Sequence, residues 1–586
     1  MINIYTRHDL EEMQVKRLDD ILKILPGFHL TRTTNNLTSL QKPTLSTVQL
    51  TSIRLYINDH DMSSSSFGSA FLIWGELPIE YIDHIEVYKG ASSIEFGNET
   101  GSVIIKLYTK TAKREEGGKI RFYGDNYGSA NLDTYIASST GELSYFAYAN
   151  LNNINREDYY NTYENKTYEL NSNRKGHNLY ANLQYKKWIL ELGSYYKQSN
   201  DFLGRGIHYT PTGGELDAYH HYLHLTKKFQ NNLKLQLSYD NASYDRTYLD
   251  PNGIQITDAP LINDFDINFN DEIFSIVVDK KITKENHSLL LGTFYKRKKF
   301  SVDGSFISNS QDYSSVSNFA NALNLYSLYA EYTYNYNTTT RVIASLKEDI
   351  FKYQKTIASN NELVTKLGLI KHIQQFQFKA FITNSYIPTA FYQLYNPDNT
   401  PYKANPNLKN MHLLLGTFSI HYKVKKHHIK FVVARNQIKD SIVYNPAAEG
   451  FVNSPESHSY TRLELLYNYI FDLNNRFSID LFCGENNKDV IASPKYASII
   501  QLFNKYKKFD IYNELVYKSA YDYFGLSMDA SFDYTASIKY HYNRDLSIGL
   551  RGENIFKSGY KQAYQNFDYA IPVSDQKIWF NLEYLF

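Results

Sequence analysis

The stretch Leu328–Asn337, which reads LYAEYTYNYN, alternates between two kinds of side chain. The apolar or aromatic set is Leu328, Ala330, Tyr332, Tyr334 and Tyr336. The set between them is mostly polar and comprises Tyr329, Glu331, Thr333, Asn335 and Asn337. Because side chains of a β-strand point alternately to its two faces, a period of two indicates a strand with one apolar face. The stretch therefore predicts a half-buried β-strand.

The same alternation recurs along most of the chain after Gly118, for example in Leu233–Asp240 and Gln375–Ile382. Roughly 22 such segments of about 9–14 residues can be distinguished, and a tilted strand that crosses a bilayer needs about 9–11 residues. A soluble β-sandwich would also alternate, but its strands usually have only about 5–6 residues. Segment length therefore favours a transmembrane β-barrel over a sandwich.

The gaps between segments alternate in length. Short gaps are expected after about Thr140, Lys187, Phe229, Lys281, Asn337, Lys371, Lys425 and Asn543. Long gaps are expected over about 154–176, 198–218, 246–271, 300–323, 383–409, 437–458 and 553–573. Short turns at one rim and long loops at the other are typical of an outer-membrane barrel. The predicted fold is therefore an antiparallel barrel of about 22 strands, with both of its ends at the short-turn rim.

Composition agrees with this fold and excludes several others. The 586 residues include 54 Tyr and 34 Phe, which suit aromatic girdles at both membrane interfaces, although tyrosine also suits any half-buried sheet. No apolar run approaches the roughly 18 residues of a membrane helix. The 62 Lys+Arg against 61 Asp+Glu leave no basic field for nucleic acid. The single cysteine, Cys483, excludes disulfide frameworks and cysteine-built metal sites.

The N-terminal part has a mixed pattern that ends near Lys113–Gly118. Thr6 can cap a helix, and a helical stripe ends at Pro26 and Gly27; its members are Leu18, Ile21, Leu22 and Leu25. Alternation at Ile53, Leu55 and Ile57 predicts a strand, which Asn58 and Asp59 would end as a turn. These patterns predict a small α/β domain over residues 1–115, followed by the barrel over residues 118–586.

Five motifs in order resemble those of the TonB-dependent outer-membrane receptors. They are Asp19–Phe28 (DDILKILPGF), Pro78–Ser93 (PIEYIDHIEVYKGASS), Phe96–Gly97 with Gly101–Lys110, Pro388–Tyr395 with Asn405–Lys409, and Gly552–Tyr560 (GENIFKSGY). The residues that carry the plug-domain resemblance are Pro26, Gly27, Ile85, Glu86, Val87, Lys89, Gly90, Ser92, Gly97 and Gly101. The alternating end of the chain, with Tyr584 and the terminal Phe586, resembles the signal that such proteins present to the barrel assembly machinery.

The chain also departs from the family pattern. Lys89 and His84 stand where the family has arginine, and lysine cannot form arginine's bidentate carboxylate pairs, so ion pairs between plug and barrel are expected to be weaker or differently built. The motifs begin close to Met1, without the signal peptide or the TonB box that precede the plug in family members. An incomplete N-terminus is the favoured interpretation, and a degenerate copy is the alternative.

The resemblance implies a monomeric receptor in the outer membrane of a Gram-negative bacterium, surrounded by outer-membrane lipid. It implies active import of a scarce nutrient, foremost an iron–siderophore complex, without a covalent cofactor. The energy would come from the TonB–ExbB–ExbD complex, which agrees with the absence of a phosphate-binding loop motif. A receptor for haem, cobalamin or another metal complex is the alternative within transport. A non-energised barrel that acts as a pore or surface-binding protein is the alternative outside it.

Ligand residues are expected on outward loops of the plug and on long-rim loops of the barrel. The plug candidates are Asp59, His60, Asp61, Ser63, Ser64 and Phe67, in a polar stretch that follows a strand. The barrel candidates are Arg205, His208, Tyr209, Tyr392 and Tyr395. Aromatic rings and arginine suit an anionic, aromatic-rich ferric chelate through stacking and charge, and they suit an ordinary barrel loop equally well.

The histidines and acidic residues predict neither a metal site nor an enzyme. On a strand, His220 and His224 lie about 13 Å apart, which is too far for them to share one small ion. His427 and His428 fall beside a predicted short-rim turn, away from the ligand-capturing side. No carboxylate pair or Ser/His/Asp grouping has a spacing that indicates catalysis, so the chain is predicted not to be an enzyme.

Overall fold

The computed structural model describes most of the chain. The described residues are 2–33, 36–41, 52–89, 94, 99–163, 165–170, 172–200, 202–203, 214–254, 262–308, 311–354, 357–395, 404–445, 448, 450–486, 493–523, 526–563 and 570–586. No helix among these residues is long and apolar enough to span a membrane.

The N-terminal part forms a mixed sheet with three short helices. In chain order its elements are β1 (Ile2–Tyr5), α1 (Arg7–Glu12), α2 (Leu18–Lys23), β2 (His29–Arg32), β3 (Thr38–Gln41), β4 (Ile53–Ile57), β5 (His60–Asp61), α3 (Phe71–Trp74), β6 (Ile82–Lys89) and β7 (Val103–Thr109). The main sheet has the order β1-β6-β7-β4-β5, in which β4 and β7 are parallel. Thr6 caps α1 as predicted, but the predicted apolar stripe belongs to a separate short helix, α2, that begins after Arg17.

The rest of the chain is almost entirely strand. The first half contains β8 (Gly117–Asp125), β9 (Ala130–Thr140), β10 (Leu143–Ile154), β11 (Tyr159–Tyr163), β12 (Lys166–Leu170), β13 (Arg174–Tyr185), β14 (Trp188–Asn200), β15 (Glu215–Lys228), β16 (Leu233–Ile254), β17 (Ile262–Lys284), β18 (His287–Ser308), β19 (Gln311–Asn337), β20 (Thr340–Tyr353), β21 (Asn360–Ile373) and β22 (Phe376–Ile387). The second half contains α4 (Phe391–Leu394), β23 (Met411–Val424), β24 (His427–Lys439), β25 (Ile442–Asn445), β26 (Gly450–Asn453), β27 (His458–Ile470), β28 (Arg476–Asn486), β29 (Tyr496–Tyr506), β30 (Phe509–Lys518), β31 (Tyr521–Tyr523), β32 (Leu526–Met528), β33 (Ser531–His541), β34 (Leu546–Glu553), β35 (Lys561–Ala563), β36 (Ala570–Pro572) and β37 (Lys577–Leu585).

Within the described residues, 22 of these strands close into one antiparallel barrel, as predicted. The barrel closes between β37 and β8, where the Gly118 amide donates to the Phe586 carbonyl at 2.7 Å and the Phe586 amide donates back at 2.9 Å. A Cβ on Gly118 would lie 2.4 Å from the Phe586 ring and 2.9 Å from the Tyr135 carbonyl oxygen, so a larger residue would crowd the closing strands. Tyr584 and Phe586 both point outward from the closing strand.

The predicted alternation matches the two faces of the barrel wall. In β19, Leu328 is 66% exposed on the outer face, whereas its neighbour Tyr329 is 4% exposed in the lumen. Aromatic rings pair on the outer face across strands, as in Tyr295 with Tyr326 (centroids 5.2 Å apart) and Phe376 with Tyr422 (4.6 Å). The outer surface therefore has the girdles expected of a lipid-facing barrel.

Two of the predicted long loops are wrong. The stretches 246–271 and 300–323 are largely extensions of β16–β19, which pair far beyond the length that a membrane requires. In the first of these stretches, outward positions carry polar side chains such as Thr247, Asp266 and Asn268. Because water contacts both faces of a strand outside the bilayer, the apolar alternation ends although the backbone ladder continues. The stretches 154–176, 437–458 and 553–573 each hold a short hairpin.

The plug sits in the lumen and shares its core with the barrel wall. Tyr81 of the plug stacks on Tyr148 and Tyr180 of the wall, with centroids 4.7 and 4.9 Å apart. Trp74 stacks on Tyr195 at 5.0 Å. The abundant tyrosines therefore have a third location besides the lipid face and the girdles, because lumen-facing rings pack directly against the plug.

Candidate functional site

The polar stretch after β4 crosses from one end of the lumen toward the other. Asn58 begins the turn with a φ of +53°, and Asp59 then pairs with Lys106 (2.8 Å) and with Lys234 (3.6 Å), which lies beside the short-turn rim. His60 is buried against Asp240 of the wall, and Asp61 pairs with Lys296 at 3.3 Å. These three residues lie at the plug–barrel interface, which differs from the outward flexible loop that the sequence suggested.

The electrostatics of His60 follow from this position. Burial would lower the pKa of His60, but the neighbouring Asp240 carboxylate outweighs burial and raises that pKa. The Nε2 atom of His60 lies 2.7 Å from Asp240 Oδ1, so a protonated imidazole would form a charge-assisted hydrogen bond there. This contact fastens the plug strand β5 to barrel strand β16.

The next residues wrap around a single wall carboxylate, Asp271 of β17. The Ser64 hydroxyl donates to it at 2.6 Å, the Ser65 amide at 3.0 Å, and Ser66 through both its amide (2.9 Å) and its hydroxyl (2.6 Å). Sequence reasoning missed Asp271, because one aspartate in a polar stretch has no local signal that distinguishes it. Its partners lie 205–207 positions away.

Phe67 and Tyr392, predicted separately, meet in an aromatic cluster. The Phe67 cluster consists of Phe67, Tyr244, Phe269 and Tyr392, with Phe67 centroids 5.0, 5.2 and 5.6 Å from the other three rings. The Phe391 and Tyr392 amides of α4 donate to the Ser65 and Ser66 carbonyls at 3.3 and 3.2 Å. Phe67 and Tyr392 are half-buried, so the cluster retains accessible ring surface. Tyr395 ends the same helix and packs against a neighbouring apolar cluster.

The other predicted ligand residues fall in different places. Ser63 is buried, and its amide donates to Asp61 at 3.1 Å. Arg205, His208 and Tyr209 lie outside the described residues.

The plug motif residues that the structure describes pack within the plug or against the barrel wall. Ile85 and Val87 are fully buried in β6, whereas Glu86 faces the other side and accepts from Tyr108 at 2.8 Å. Gly27, after Pro26, has a φ of +81°, and a Cβ there would lie 2.8 Å from the Phe482 ring. A Cβ on Gly101 would lie 2.8 Å from Arg54. Gly90, Ser92 and Gly97 lie outside the described residues.

Lys89 retains a plug–barrel ion pair where the family has arginine. Its Nζ donates to Glu464 of β27 at 3.1 Å and to the Pro26 carbonyl at 2.6 Å. Both charged side chains are 0% exposed. Plug–barrel ion pairs were expected to be built differently here. The Lys89–Glu464 pair agrees, because an ammonium group makes it in place of an arginine guanidinium.

Three plug glutamates each form ion pairs with several arginine or lysine side chains. Glu76 contacts Arg32 (2.6 Å), Lys197 (3.7 Å) and Arg174; Glu80 contacts Lys110, Lys119 and Arg121, each at 2.9 Å. Glu99 contacts Arg54 (3.3 Å), Lys296 (3.2 Å) and Lys298 (2.5 Å). Burial would raise the pKa of Glu76, but its cations hold that pKa well below the usual range. Each glutamate joins the plug to two barrel cations through contacts that can break and re-form.

Two wall histidines, His220 and His224, contact residues of the plug. His220 Nε2 lies 2.9 Å from Asp240, and its Nδ1 accepts from the Trp74 indole at 2.8 Å. His224 lies beside His60, with ring centroids 5.1 Å apart. Over the part of the chain that the structure describes, no group of three His, Cys, Asp or Glu residues could hold a metal ion. His427 follows a short-rim turn, as predicted.

In the described residues, a mixed plug sheet sits inside a closed 22-strand barrel, which is the architecture of plugged outer-membrane barrels. Residues 1–103 match the family model of the TonB-dependent receptor plug domain. The plug match over residues 1–103 and the closed barrel that follows make this chain similar to TonB-dependent receptors in both of its parts.

Proteins similar to this chain share its fold, and their names differ in ligand. Over 118 residues the chain is 26% identical to the vitamin B12 transporter BtuB of Vibrio cholerae, a stretch that spans 20% of this chain and only 18% of that relative. The fold resembles the ferric enterobactin receptor PfeA of Pseudomonas aeruginosa (TM-score 0.78, 14% identity, 100% and 98% of the two chains). It also resembles the siderophore receptor PirA of Acinetobacter baumannii (0.78, 13%, 100% and 98%) and the copper transporter OprC (0.79, 12%, 100% and 98%).

Proposed function

We propose that this protein is an outer-membrane receptor that imports an iron–siderophore complex through TonB-dependent displacement of its plug. The TonB–ExbB–ExbD complex would supply the energy from the inner membrane. The protein would act as a monomer, inserted through its Tyr584–Phe586 end by the barrel assembly machinery of a Gram-negative bacterium.

The observation that carries this proposal is the way the plug is held in the lumen. Glu76, Glu80 and Glu99 bind cations on the barrel wall, and Asp271 of the wall binds the plug loop. Such a plug blocks passive flow through the occupied part of the lumen. Because the attachments are ionic and hydrogen-bonded rather than covalent, an external pulling force could break them reversibly. These features favour an energised importer over a passive pore.

The Phe67 cluster supports an aromatic-rich ligand. Its rings lie where the plug loop meets α4 of a long-rim loop, and stacking on such rings suits the aromatic groups of many ferric chelates. We assign ligand contact to Ser64, Phe67, Tyr392 and Tyr395, together with Arg205, His208 and Tyr209. Asp59, His60, Asp61 and Ser63 would act indirectly by holding the plug against the wall.

Cobalamin is a second candidate, because a relative that matches 118 residues of this chain is named as a vitamin B12 transporter. That match covers one fifth of the chain, whereas an imported ligand also meets the long-rim loops. Haem and other metal complexes are further candidates that the same experiment tests.

The test is growth of a deletion strain on defined nutrients. Cells that lack this protein are supplied with single iron sources, including ferric enterobactin and haem, and in parallel with cobalamin or copper as the limiting nutrient. Failure to grow on one ferric chelate, with rescue by the intact gene, would support the proposal. Unchanged uptake of every iron complex would reject iron import, and a defect confined to cobalamin would select the second candidate.

Binding variants test the ligand surface separately. With ferric enterobactin as the first probe, Phe67→Ala is expected to weaken binding, because a stacked aromatic pair contributes about 0.5–1.5 kcal/mol beyond the area it buries. Phe556→Ala is the matched control, since this exposed ring stacks on Tyr534 away from the Phe67 cluster. If both variants bind ferric enterobactin as tightly as the native protein does, Phe67 does not contribute to the ligand site.

A further inference from the structure

Pairs of consecutive lysines mark the short-turn rim of the barrel. The sequence contains six Lys-Lys dipeptides, and five of them lie in or beside short-rim turns. These five are 186–187, 227–228, 280–281, 425–426 and 507–508, whereas the sixth, 298–299, lies near the middle of β18. Because the whole chain has a formal net charge of only +1, this placement concentrates cations at one end of an otherwise neutral protein.

Three neighbouring turns, from β13 to β18, bring seven of these cations into one sector of the rim. We call this set the short-rim basic patch; it consists of Lys186, Lys187, Lys227, Lys228, Lys280, Lys281 and Lys284. Backbone hydrogen bonds join its parts, since the Lys228 amide donates to the Lys187 carbonyl at 3.1 Å and the Lys281 amide donates to the Asn232 carbonyl at 3.3 Å. The patch is therefore continuous along the rim.

Carboxylates neutralise little of the charge of this patch. Among the described residues, the only ion pair that the patch forms is that of Lys186 with Glu142, at 3.4 Å, and both side chains are more than half exposed. Asp279 of the same sector is paired with Lys234 instead, at 3.2 Å. Glu285 is the third nearby carboxylate. Seven cations outnumber these three anions, so the patch offers positive charge to a ligand from outside the chain.

Two of the lysines belong to the lipid-facing surface of the wall. Lys227 is paired with Trp188 on one side and with Leu235 on the other, and Lys280 is paired with Leu291. Directly paired residues of a sheet point to the same face. Trp188 and Leu291 are 40% and 44% exposed on the outer face, so both lysines lie on that face too. A long charged side chain in such a position extends to the boundary between lipid and water.

Aromatic rings indicate the depth of the patch in the membrane. Lys227 Nζ lies 4.2 Å from the centroid of the Trp188 ring, and Lys186 Nζ lies 5.3 Å from that of Tyr185. Outward-facing tryptophan and tyrosine residues of membrane proteins concentrate at the level of the lipid headgroups. The ammonium groups beside these rings therefore lie at the headgroup level, where phosphates are the available anions.

We propose that the short-rim basic patch binds the headgroups of anionic phospholipids in the membrane leaflet on that side of the barrel. The ligand class is a phospholipid with a net negative charge, such as phosphatidylglycerol, in preference to a zwitterionic one. Lysine ammonium groups donate hydrogen bonds to phosphate oxygens, and each lysine near an anionic surface strengthens association about fivefold. The inference goes beyond nutrient import and takes from the proposed function only that the barrel spans a bilayer.

Trp188 provides the measurement. The chain has three tryptophans, and the other two, Trp74 and Trp579, are 1% and 2% exposed inside the barrel. The full protein is folded into phosphatidylcholine vesicles that contain equal fractions of a brominated lipid, either phosphatidylglycerol or phosphatidylcholine. Because bromine quenches tryptophan fluorescence on contact, we expect stronger quenching by brominated phosphatidylglycerol. Added salt should reduce this difference, since it screens exposed charges.

Substitutions locate the effect on the rim. A triple glutamine variant of the patch should lose the preference, and a triple arginine variant at the same positions should keep it; the positions are Lys186, Lys227 and Lys280. The matched control removes three cations from other short-rim turns by the substitutions Lys425→Gln, Lys426→Gln and Lys507→Gln. Quenching is normalised to the fluorescence of each variant without brominated lipid, and heat-modifiable gel migration identifies folded samples.

The outcomes distinguish this inference from the proposed function. Equal quenching of the native protein by the two brominated lipids would overturn lipid binding and favour a soluble anionic macromolecule as the occupant of the patch. An unchanged preference in the triple glutamine variant, or an equal loss in the control, would also overturn it. If the native protein inserts into none of the vesicles, its proposed role as a membrane receptor fails instead.

Discussion

His60 of the plug and Asp240 of the barrel are joined by a hydrogen bond of 2.7 Å, although 180 positions separate them in the chain. The same Asp240 oxygen lies 2.9 Å from His220 Nε2. Because the Trp74 indole donates to His220 Nδ1, the proton of a neutral His220 belongs on Nε2, facing Asp240. One buried carboxylate oxygen therefore receives a hydrogen bond from the plug and another from its own wall.

The attachment of the plug should weaken as pH rises through the pKa of His60. Its raised pKa means that the stabilisation is fully present below about 6.5, the usual histidine value, and is lost above the raised value. Asp61 and Glu191 also favour the charged form. The urea midpoint of plug release, followed by fluorescence at a series of pH values, should fall with pH less steeply in His60→Gln. His8→Gln, at an exposed helix position, is the control, and identical profiles for His60→Gln and the native protein would contradict the assignment.

Asp271→Ala should free the loop at Ser64–Ser66. The substitution leaves buried donors without their acceptor, at a cost of about 1–3 kcal/mol for each group that water does not reach. Faster hydrogen exchange at the Ser65 and Ser66 amides is the expected result, measured by mass spectrometry. Glu272→Ala is the matched control, because the adjacent carboxylate is 44% exposed and pairs with Lys299 on the outer face. Equal exchange in the two variants would show that Asp271 does not hold the loop.

Glu76→Gln should loosen the plug more than Asp59→Asn does. Glu76 is buried among Arg32, Arg174 and Lys197, and removal of one partner of a buried ion group costs about 3–5 kcal/mol. Asp59 is 43% exposed, and exposed pairs contribute about 0–1 kcal/mol. Urea titration of plug release measures both. A larger loss for Asp59→Asn would reverse the assigned order.

As pH is lowered, the ion pairs of Glu76 should be among the last to be lost. Because the pKa of Glu76 is depressed, its stabilisation is present above the usual glutamate pKa and is lost only as pH falls through the lower, folded value. In Glu76→Gln this acid-dependent loss of plug stability should be reduced. An unchanged acid profile would mean that other carboxylates dominate it.

Gly27→Ala should destabilise the protein more than Gly141→Ala. Both glycines have positive φ, at +81° and +61°, so both substitutions strain the backbone by about 1–2 kcal/mol. Only Gly27 meets a neighbour, the Phe482 ring at 2.8 Å, and overpacking adds about 1–3 kcal/mol. A Cβ on Gly141 has nothing within 4 Å. Thermal unfolding compares the two, and Phe482→Leu should relieve only the steric part of the Gly27→Ala effect.

The barrel and the plug could be recognised without coordinates because each has a local signature. Leu328–Asn337 places its apolar side chains on one face. Every membrane-spanning strand must present such an apolar face to the lipid, so the signal is present in each strand's own sequence. The long extensions of β16–β19 were missed for the same reason, since beyond the bilayer that requirement ends while backbone pairing continues. For the candidate site, the sequence selected Phe67 and Tyr392 separately as aromatic loop residues.

By itself, the sequence determined the fold class, the strand number and the plug motifs, because these follow from side-chain period and from contiguous residues. Only the tertiary structure decided that His60 meets Asp240, that three serines enclose Asp271, and that Lys89 pairs with Glu464 of the barrel wall. Contacts in the lumen depend on the strand register with which the barrel closes and on the orientation of the plug inside it. Neither quantity is contained in any short stretch of chain, so residues hundreds of positions apart become neighbours only in the folded protein.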